Sequence, residues 1–379
     1  MTDLIHALTP GDHFSPRTGS AIPTVVHGLA SAAADSRYRQ HVLVEASTFR
    51  PRYTSAEPVE YVGAGFPTRW ERALDLGLST AGLPRVRARR SYRPLVDALS
   101  GIRPSIVIAH NAPLLPRMLA TTRHSSVYYA HNELPRGMSR HESTRLLAPA
   151  SAIVAVSADL AARIADRVSP RVAERIHVVE NGVDIEAFRP VDRPPAGIPR
   201  VLFVGRVVPE KGPDVLLRAA ALLDRPLEIV IVGSQGFDRG SPPSSYEQEL
   251  RTLAARSPAR VVFEPFVDRE KLPELLRTAT LFVAPSRWAE PSGLTIGEAL
   301  ATGLPVVASD IGGIPDVVGD AGVLVSPDDV PALASALAAL LEDRPRRDAL
   351  RDRARSRAQE RSWKRSWQQL RHVLDGIAV

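Results

Sequence analysis

The 379-residue chain contains no cysteine, and only three of its 48 cationic residues are lysines. Without cysteine it has no disulfide, no iron–sulfur cluster and no thiol nucleophile. No run of 18 uninterrupted apolar residues occurs, which disfavours a membrane-spanning helix. The start, MTDLIHALTPGDHF, lacks a basic segment followed by a long apolar stretch. These absences predict a soluble, cytoplasmic protein.

Several signatures of cofactor and metal chemistry are missing too. The sequence has no Asp-x-Asp and no histidine pair with metal-ligand spacing on a helix, so we expect no metal. The stretch GAGFPT at residues 63–68 lacks the third glycine of a dinucleotide fingerprint and a clear following helix, which argues against a nicotinamide cofactor. No recognised nucleic-acid-binding module occurs, so we expect no nucleic-acid partner.

The composition indicates a globular protein of about two domains, with 44% hydrophobic and 24% charged residues. The net charge of +6 lies wholly in the first half, where residues 1–190 hold 23 arginines against 17 acids. Residues 191–379 hold 25 cations and 25 acids. The three lysines are Lys211, Lys271 and Lys364, so a lysine within a motif is more informative than usual.

Short β-branched runs alternate with helical patterns along the chain, which is typical of parallel α/β sheets. The runs in the first half are residues 4–8, 41–44, 105–109, 126–130, 152–156 and 177–179, with helices predicted over 20–34, 89–100 and 158–168. A linker rich in proline and glycine follows at residues 189–200. A second series then occupies residues 201–205, 227–233, 259–264, 280–286, 305–309 and 321–326.

The pattern predicts two facing, doubly wound α/β domains, residues 1–190 and 191–359. The carboxyl-terminal helix, about residues 360–379, carries Trp363 and Trp367 on one face and is expected to pack back on the first domain. Ligands of such folds bind beyond the carboxyl ends of the strands. We therefore expect the site in the cleft between the two domains.

The most informative motif is WAEPSGLTIGEALATGLPVVASDIGGIPDVV, at residues 288–318. Glu290 lies just before a predicted helix and Glu298 lies within it, roughly 12 Å further along the axis. They are too distant to share one proton or one metal, but they can bind the two ends of an extended ligand. Between them the amides of Gly293, Leu294 and Thr295 form a helix N-terminus suited to a phosphate. The alternative is that both carboxylates are simply solvated.

A second motif is VLFVGRVVPEKG, at residues 201–212. A predicted strand runs into a glycine-containing turn, and Arg206 and Lys211 follow it. Arginine binds phosphate bidentately and lysine supplies a mobile point charge, so the pair can offset the charge of a diphosphate. The alternative interpretation is two unrelated surface cations.

These motifs resemble those of the retaining glycosyltransferases of family 4, which adopt the GT-B fold of two Rossmann-like domains. The resemblance rests on E-x7-E at Glu290 and Glu298, on G-R-x4-K-G at residues 205–212, and on ENGVDIEAFRP at residues 180–190. It covers residues 176–326. The first half matches less well, through FSPRTGSAIPTVVHGLA at 14–30 and VYYAHNELP at 127–135. Two departures are Ser292, where the family often has phenylalanine, and Glu264 or Pro265, where it often has glycine.

The resemblance implies roles for individual residues. Glu290 would contact hydroxyls of the donor sugar and Glu298 the ribose of its nucleotide. Arg206 and Lys211 would hold the diphosphate, helped by the backbone near Gly19 and by residues 293–295. Phe266 and Val267 would border the base.

In the first half of the chain, the resemblance places His131 beside the reacting sugar. His131 and His110 both end predicted strands, and we favour His131 for direct contact. No neighbouring serine or cysteine makes a nucleophile–base pair, so its expected role is positioning. The residues expected on the acceptor side are His13, Arg17, His110 and Asn132.

The expected activity is transfer of a sugar, with retention, from a nucleoside-diphosphate sugar to a hydroxyl acceptor, without a cofactor or metal. UDP-sugars are favoured over GDP-sugars. Two alternatives stay open, namely a sugar-nucleotide epimerase or hydrolase of the same architecture, and a catalytically silent nucleotide-binding protein. The arginine-rich residues 85–93 fit either an anionic membrane surface, an acidic acceptor or a solvated basic face. The sequence leaves the acceptor and the oligomeric state undetermined.

Overall fold

The computed structural model describes residues 1–65, 68–80, 86–191, 197–236 and 242–378. The chain divides into two compact units. Unit 1 contains Met1–Pro16, Ser20–Glu180 and Ser366–Val379, and unit 2 contains Arg17–Gly19 and Asn181–Arg365. Within these described ranges, every helix is too short or too polar to cross a membrane.

Unit 1 is built on a seven-stranded, wholly parallel sheet with the strand order β3-β2-β1-β4-β5-β6-β7. Its strands are β1 (Thr2–Ala7), β2 (Tyr38–Glu45), β3 (Glu57–Tyr61), β4 (Ile106–His110), β5 (Ser125–Ala130), β6 (Ala152–Ala155) and β7 (Ile176–Val178). Its helices are α1 (Ala21–Ala32), α2 (Arg69–Thr80), α3 (Val86–Ala98), α4 (Leu115–Leu119), α5 (Arg140–Leu147), α6 (Ala158–Ala165) and α7 (Pro170–Ala173).

Unit 2 has a six-stranded parallel sheet with the order β10-β9-β8-β11-β12-β13. The strands are β8 (Arg200–Val204), β9 (Glu228–Val232), β10 (Arg260–Glu264), β11 (Leu281–Ala284), β12 (Val306–Ser309) and β13 (Gly322–Val325). The helices are α8 (Pro213–Ala220), α9 (Ser245–Ala254), α10 (Leu272–Arg277), α11 (Leu294–Ala301), α12 (Ile314–Val318), α13 (Val330–Glu342) and α14 (Arg344–Glu360), and 3-10 turns lie at Pro209–Lys211 and Arg269–Lys271. Helix α15 (Trp363–Asp375) starts in unit 2 and continues in unit 1.

The predicted fold class is confirmed, since each unit is a doubly wound parallel sheet. All twelve predicted strands are present, with ends that differ by at most three residues, because strands covered by helices on both faces are continuous apolar runs. Strand β3 was not predicted. Its sequence, EPVEY, has no apolar run, and among the described residues it pairs with β2 alone, at the edge of the sheet, where a proline is tolerated.

The boundary between the units lies at Glu180 and Asn181 rather than at residue 190. The ten intervening residues belong to unit 2 because the Val183 N–H bonds the Arg361 carbonyl and Phe188 packs into the unit 2 core. At the other end, Trp367 of α15 is buried in unit 1, and its ring lies 5.7 Å from the Tyr38 ring, centre to centre, in a T-shaped contact. The Tyr38 hydroxyl also donates to Asp375 at 2.7 Å.

In both sheets the strand order reverses direction once, between β1 and β4 in unit 1 and between β8 and β11 in unit 2. The loops that follow these paired strands diverge to opposite faces of the sheet and leave a crevice at their carboxyl ends. The chemistry-bearing side chains predicted from the sequence concentrate at these two points.

Candidate functional site

In unit 2 the predicted charged residues meet at the crevice between β8 and β11. Arg206 and Lys211 lie in the loop after β8, and Glu290 lies in the loop after β11. The Lys211 Nζ donates a hydrogen bond to Glu290 Oε1. Residues 79 positions apart in sequence are therefore in direct contact.

The Lys211–Glu290 ion pair is mostly shielded from solvent, since the side chains are 23% and 10% exposed. Ser286 Oγ lies 3.2 Å from Glu290 Oε1, where its hydroxyl can donate a second hydrogen bond. The Lys211 Nζ also lies 5.8 Å from the centre of the Trp288 ring, within the range of a cation–π contact. The pair thus occupies a defined position.

Close packing between the two loops depends on Gly212. This residue has φ +68°, and a Cβ placed on it would lie 2.0 Å from the Pro285 carbonyl oxygen at the end of β11. Only glycine fits such an approach without displacing the backbone. On the Glu290 side, the Gly313 N–H donates to the Glu290 carbonyl at 2.7 Å. Backbone packing therefore fixes both ends of the ion pair.

Arg206 differs from Lys211 in having no neutralising neighbour. Its side chain is exposed, and within the described ranges it makes neither a hydrogen bond nor an ion pair. Arg206 is thus the cation at this crevice that is available to an added anion.

The helix that follows Glu290 presents free amides. Helix α11 begins at Leu294, with Gly293 as its N-cap at φ +69° and no capping side chain. Among the described residues the N–H groups of Gly293, Leu294 and Thr295 have no hydrogen-bond acceptor, and the first turn carries no acidic residue. Unsatisfied amides at a helix N-terminus attract anions.

Glu298 lies on the buried side of α11, only 2% exposed. One carboxylate oxygen accepts a hydrogen bond from Arg269, whereas the other, Oε2, is buried without a partner among the described residues. Burial raises the pKa of the Glu298 carboxyl, and the Arg269 guanidinium opposes that shift. An unpartnered buried acceptor suits a hydroxyl donor from a ligand.

Phe266 and Val267, predicted to border a base, lie between β10 and the turn Arg269–Lys271 and are half-buried. Val267 packs against the core of unit 2. The segment ends two residues before Arg269, the partner of Glu298.

In unit 1 the predicted histidine lies beside the equivalent reversal point. His131 directly follows β5 and is 7% exposed, with its ring stacked 4.6 Å from that of Tyr129. The side-chain oxygen of Asn111 accepts from the His131 N–H at 2.8 Å and from the Asn132 N–H at 3.2 Å. Asn111 therefore fixes the turn that carries His131.

His110, which was also expected on the acceptor side, lies in the interior of unit 1. His110 is completely buried, and both of its ring nitrogens have partners, His6 Nδ1 at 2.9 Å and His131 Nε2 at 2.8 Å. It has no atom left for a ligand and acts behind His131. Burial, followed by the neighbouring His131 and His6, holds the pKa of His110 well below its usual value.

The other residues predicted on the acceptor side lie in different surroundings. His13 stacks on Phe49 at 3.7 Å, and its Nδ1 accepts from the Phe49 N–H at 3.0 Å. Asn132 is exposed beside His131. Arg17 and Gly19 are exposed and belong to unit 2.

Sequence reasoning missed several residues of these sites. Arg269, Ser286 and Gln40 are polar residues in ordinary loops or strands, and nothing local distinguishes them. His6 was detectable in principle, because a fully buried histidine interrupts the apolar run of β1.

The arginine-rich residues lie elsewhere in unit 1. Arg85 is outside the described residues, and Arg87, Arg89, Arg90 and Arg93 lie on α3. Arg89 and Arg93 line a groove of about 720 Å³ whose other charged lining residues are Asp97, Arg117, Arg123 and Arg145. Asp97 is itself paired with Arg93 at 2.8 Å. The groove is therefore strongly basic.

Comparison with known proteins identifies the family. Residues 22–187 match the family described as Glycosyltransferase Family 4, and residues 184–357 match Glycosyl transferases group 1. The D-inositol 3-phosphate glycosyltransferase 1 of Catenulispora acidiphila is 34% identical over 319 residues, covering 77% of this chain and 74% of that protein. The chain belongs to the family 4 glycosyltransferases.

Another relative of this glycosyltransferase has the same activity in its name. The D-inositol 3-phosphate glycosyltransferase of Mycobacterium avium is 42% identical over 179 residues, which is 44% of this chain and 41% of that protein. Two solved structures share the GT-B fold at 19% identity. Sucrose-phosphate synthase from Thermosynechococcus elongatus has a TM-score of 0.79, covering 99% of this chain and 98% of that one. Anabaena HepE in complex with UDP-glucose has a TM-score of 0.76 over the whole of both chains.

Proposed function

We propose that this glycosyltransferase moves a sugar from a UDP-sugar to a hydroxyl acceptor with retention of anomeric configuration and without a metal ion. The observation that carries the proposal is the arrangement at the crevice of unit 2. There the free cation Arg206, the Lys211–Glu290 pair and the free amides of residues 293–295 follow two adjacent strands.

In this proposal the cations and amides act on the leaving group. Cleavage of the bond between the sugar and the diphosphate leaves extra negative charge on the phosphate oxygens. Preorganised donors stabilise such charge more in the transition state than in the ground state, which is how they accelerate the reaction. Lys211 supports two roles at once, because its ammonium has three protons and Glu290 uses one of them.

The two glutamates bind opposite ends of the donor. Glu290 accepts hydrogen bonds from sugar hydroxyls, through oxygens that Lys211 and Ser286 hold in place. The unpartnered Oε2 of Glu298 accepts from a ribose hydroxyl, which satisfies a buried acceptor that is otherwise without a partner. Phe266 and Val267 border the base.

The leaving phosphate takes the proton of the acceptor hydroxyl, so the reaction needs no side-chain base. Burial, and next the nearby His6, lowers the pKa of His131 to about 3, which keeps its ring neutral at physiological pH. A base of that strength is too weak to remove a hydroxyl proton efficiently. His131 instead orients a substrate hydroxyl.

UDP is the favoured nucleotide of the donor sugar, and GDP is the second choice. Structures of Anabaena HepE, which has the same fold, contain UDP and UDP-glucose. For the acceptor, the names of the relatives make D-inositol 3-phosphate the first compound to test. Membrane contact through residues 85–93 stays a prediction. If co-sedimentation of the protein with liposomes does not depend on anionic lipid, that prediction is wrong.

A thermal-shift panel of UDP, GDP, ADP and TDP, with their glucose conjugates, tests the donor. A ligand at 100 times its dissociation constant adds about 2.7 kcal/mol of stability. We expect UDP compounds to give the largest shift, with and without EDTA. If UDP compounds give no shift, the donor assignment is wrong.

Product analysis separates transfer from the alternatives. UDP-glucose with D-inositol 3-phosphate and other hydroxyl acceptors should give an α-linked product, because the donor linkage is α and is retained. Complete turnover of the donor without acceptor would indicate an epimerase or hydrolase. Nucleotide binding without turnover would indicate a silent binding protein.

A further inference from the structure

Four buried polar side chains form a continuous chain of hydrogen bonds across the sheet of unit 1. Gln40 Oε1 lies 3.1 Å from His6 Nε2, and His6 Nδ1 lies 2.9 Å from His110 Nε2. His110 Nδ1 in turn lies 2.8 Å from His131 Nε2. The four residues come from β2, β1, β4 and the end of β5, and each is no more than 8% exposed.

Gln40 sets the direction of this chain. Its amide Nε2 donates to the Tyr38 carbonyl oxygen at 3.1 Å, which fixes the amide orientation and leaves Oε1 facing His6. Rotating the amide by half a turn would place two oxygens against each other. An amide oxygen only accepts hydrogen bonds, so the proton between the two residues must lie on His6 Nε2.

The remaining tautomers follow from that one proton. A neutral imidazole has one donor nitrogen and one acceptor nitrogen. With Nε2 of His6 protonated, its Nδ1 accepts from Nε2 of His110, and Nδ1 of His110 then accepts from Nε2 of His131. His131 is thus left with an unprotonated Nδ1, which has no partner among the described residues.

The rings are neutral at physiological pH. Burial lowers the pKa of His6 to about 4, outweighing the opposing bond to Gln40, and the pKa of His131 falls to about 3. Three neutral rings carry three protons, one in each hydrogen bond of the chain, so a fourth proton on any ring would leave Nδ1 of His131 protonated. Three neutral rings satisfy every nitrogen except Nδ1 of His131.

We propose that Gln40, His6 and His110 are positioning residues that hold His131 in its Nε2-protonated tautomer, so that Nδ1 accepts a hydrogen bond from a substrate hydroxyl. The identity of that hydroxyl as a substrate group rests on the proposed function, whereas the tautomer order does not. The chain ends at an amide oxygen that takes up no proton. It therefore orients His131 and does not carry protons away from it.

Nitrogen-15 NMR of the full-length protein labelled in histidine tests the tautomer order without any ligand. Protonated and unprotonated ring nitrogens have well-separated chemical shifts, and single variants assign the signals. We expect unprotonated Nδ1 on His6, His110 and His131 at pH 7.5. A protonated Nδ1 on His131 overturns the proposal, whether or not the protein is a transferase.

The variant Gln40→Leu removes the acceptor that sets the direction of the chain. We expect Gln40→Leu to give a mixture of tautomers at His131 and to lower kcat about tenfold with UDP-glucose, the effect of one neutral hydrogen bond. The dissociation constant of UDP should stay unchanged. The matched control His41→Gln changes the next residue of β2, which pairs with Asp3 and Glu57 instead.

Outcomes for this proposal and for the proposed function are distinguishable. Unchanged tautomers and kcat in a folded Gln40→Leu protein overturn the positioning role. If that variant does not fold, the spectrum of the wild type still decides the tautomer order. If the wild type shows the expected tautomers but His131→Ala keeps full activity, the tautomer order is supported and the contact between His131 and the substrate is refuted.

Discussion

Lys211 Nζ donates a hydrogen bond to Glu290 Oε1 across the crevice between β8 and β11. Before any ligand is present, the carboxylate is thus neutralised by the cation that is proposed to hold the diphosphate. An isolated buried carboxylate is costly, so this pairing maintains the site in the absence of donor. Arg206, in the same loop, has no such partner among the described residues. The two cations therefore have different consequences when removed.

Replacing Lys211 by alanine should lower the rate of transfer by 100-fold or more, roughly the effect of losing a donor to a developing oxyanion. It should also lower the free energy of unfolding by about 1–3 kcal/mol, since Glu290 keeps only the Ser286 contact. Steady-state kinetics and urea unfolding measure both. The matched control Lys364→Ala, at an exposed lysine outside the site, should change neither. Full transfer activity in Lys211→Ala would remove the site assignment.

Replacing Arg206 by alanine should weaken binding of UDP without destabilising the fold, because the side chain is exposed and unpaired within the described ranges. Loss of a charge-assisted hydrogen bond of about 2 kcal/mol raises the dissociation constant roughly 30-fold. Isothermal titration with UDP and with uridine separates the phosphate contribution. Equal weakening of both ligands would show that Arg206 acts on the nucleoside and not on the diphosphate.

Replacing Arg269 by alanine leaves Glu298 buried without its cation. We expect a loss of about 3 kcal/mol in the free energy of unfolding at pH 7. Because the pKa of Glu298 is already raised by burial, losing the guanidinium raises it further, and protonation relieves the cost as the pH falls. Urea unfolding at pH 7 and pH 5 should show the smaller penalty at pH 5. The double variant with Glu298→Gln should recover part of the loss, and no recovery would contradict this account.

The buried histidines should make the fold less stable in mild acid. The pKa of His6 is lowered to about 4 in the folded state, so the unfolded chain binds the proton more readily. The stabilisation is complete above the unfolded pKa of about 6.5 and is lost as the pH falls toward 4. For His6 alone the loss between pH 7 and pH 5 is about 2 kcal/mol. Urea unfolding of the wild type and of His6→Asn over this pH range isolates the contribution of His6 to the free energy of unfolding. The same pH dependence in both proteins would contradict the prediction.

The crevice of unit 2 shows how much local sequence can reveal. Arg206, Lys211 and Glu290 were identified from motifs, because a turn after a strand and a helix N-terminus have recognisable sequence patterns. The contact between Lys211 and Glu290 depends on the order of the strands, which places β8 beside β11 although the two residues are 79 positions apart. Arg269 was not predicted, because nothing in the sequence around an arginine in a polar turn indicates that it pairs with Glu298.

The histidines of unit 1 show the limit more clearly. The sequence indicated His131 and His110 because each ends a predicted strand. Only the structure showed that His110 is buried and hydrogen-bonded between His6 and His131. Hydrogen bonds between residues up to 104 positions apart leave no periodic pattern in the sequence.

The sequence by itself determined the two parallel α/β units, nearly all of their strands, the family motifs and the location of the excess positive charge. These properties depend on local apolar periodicity and on short-range turn chemistry, which neighbouring residues specify. Tertiary structure alone decided which charges are paired, which carboxylate oxygen is free and which histidine has a nitrogen open to a ligand. Those properties depend on burial and on contacts between distant strands, where a buried polar atom must find its partner because water is excluded.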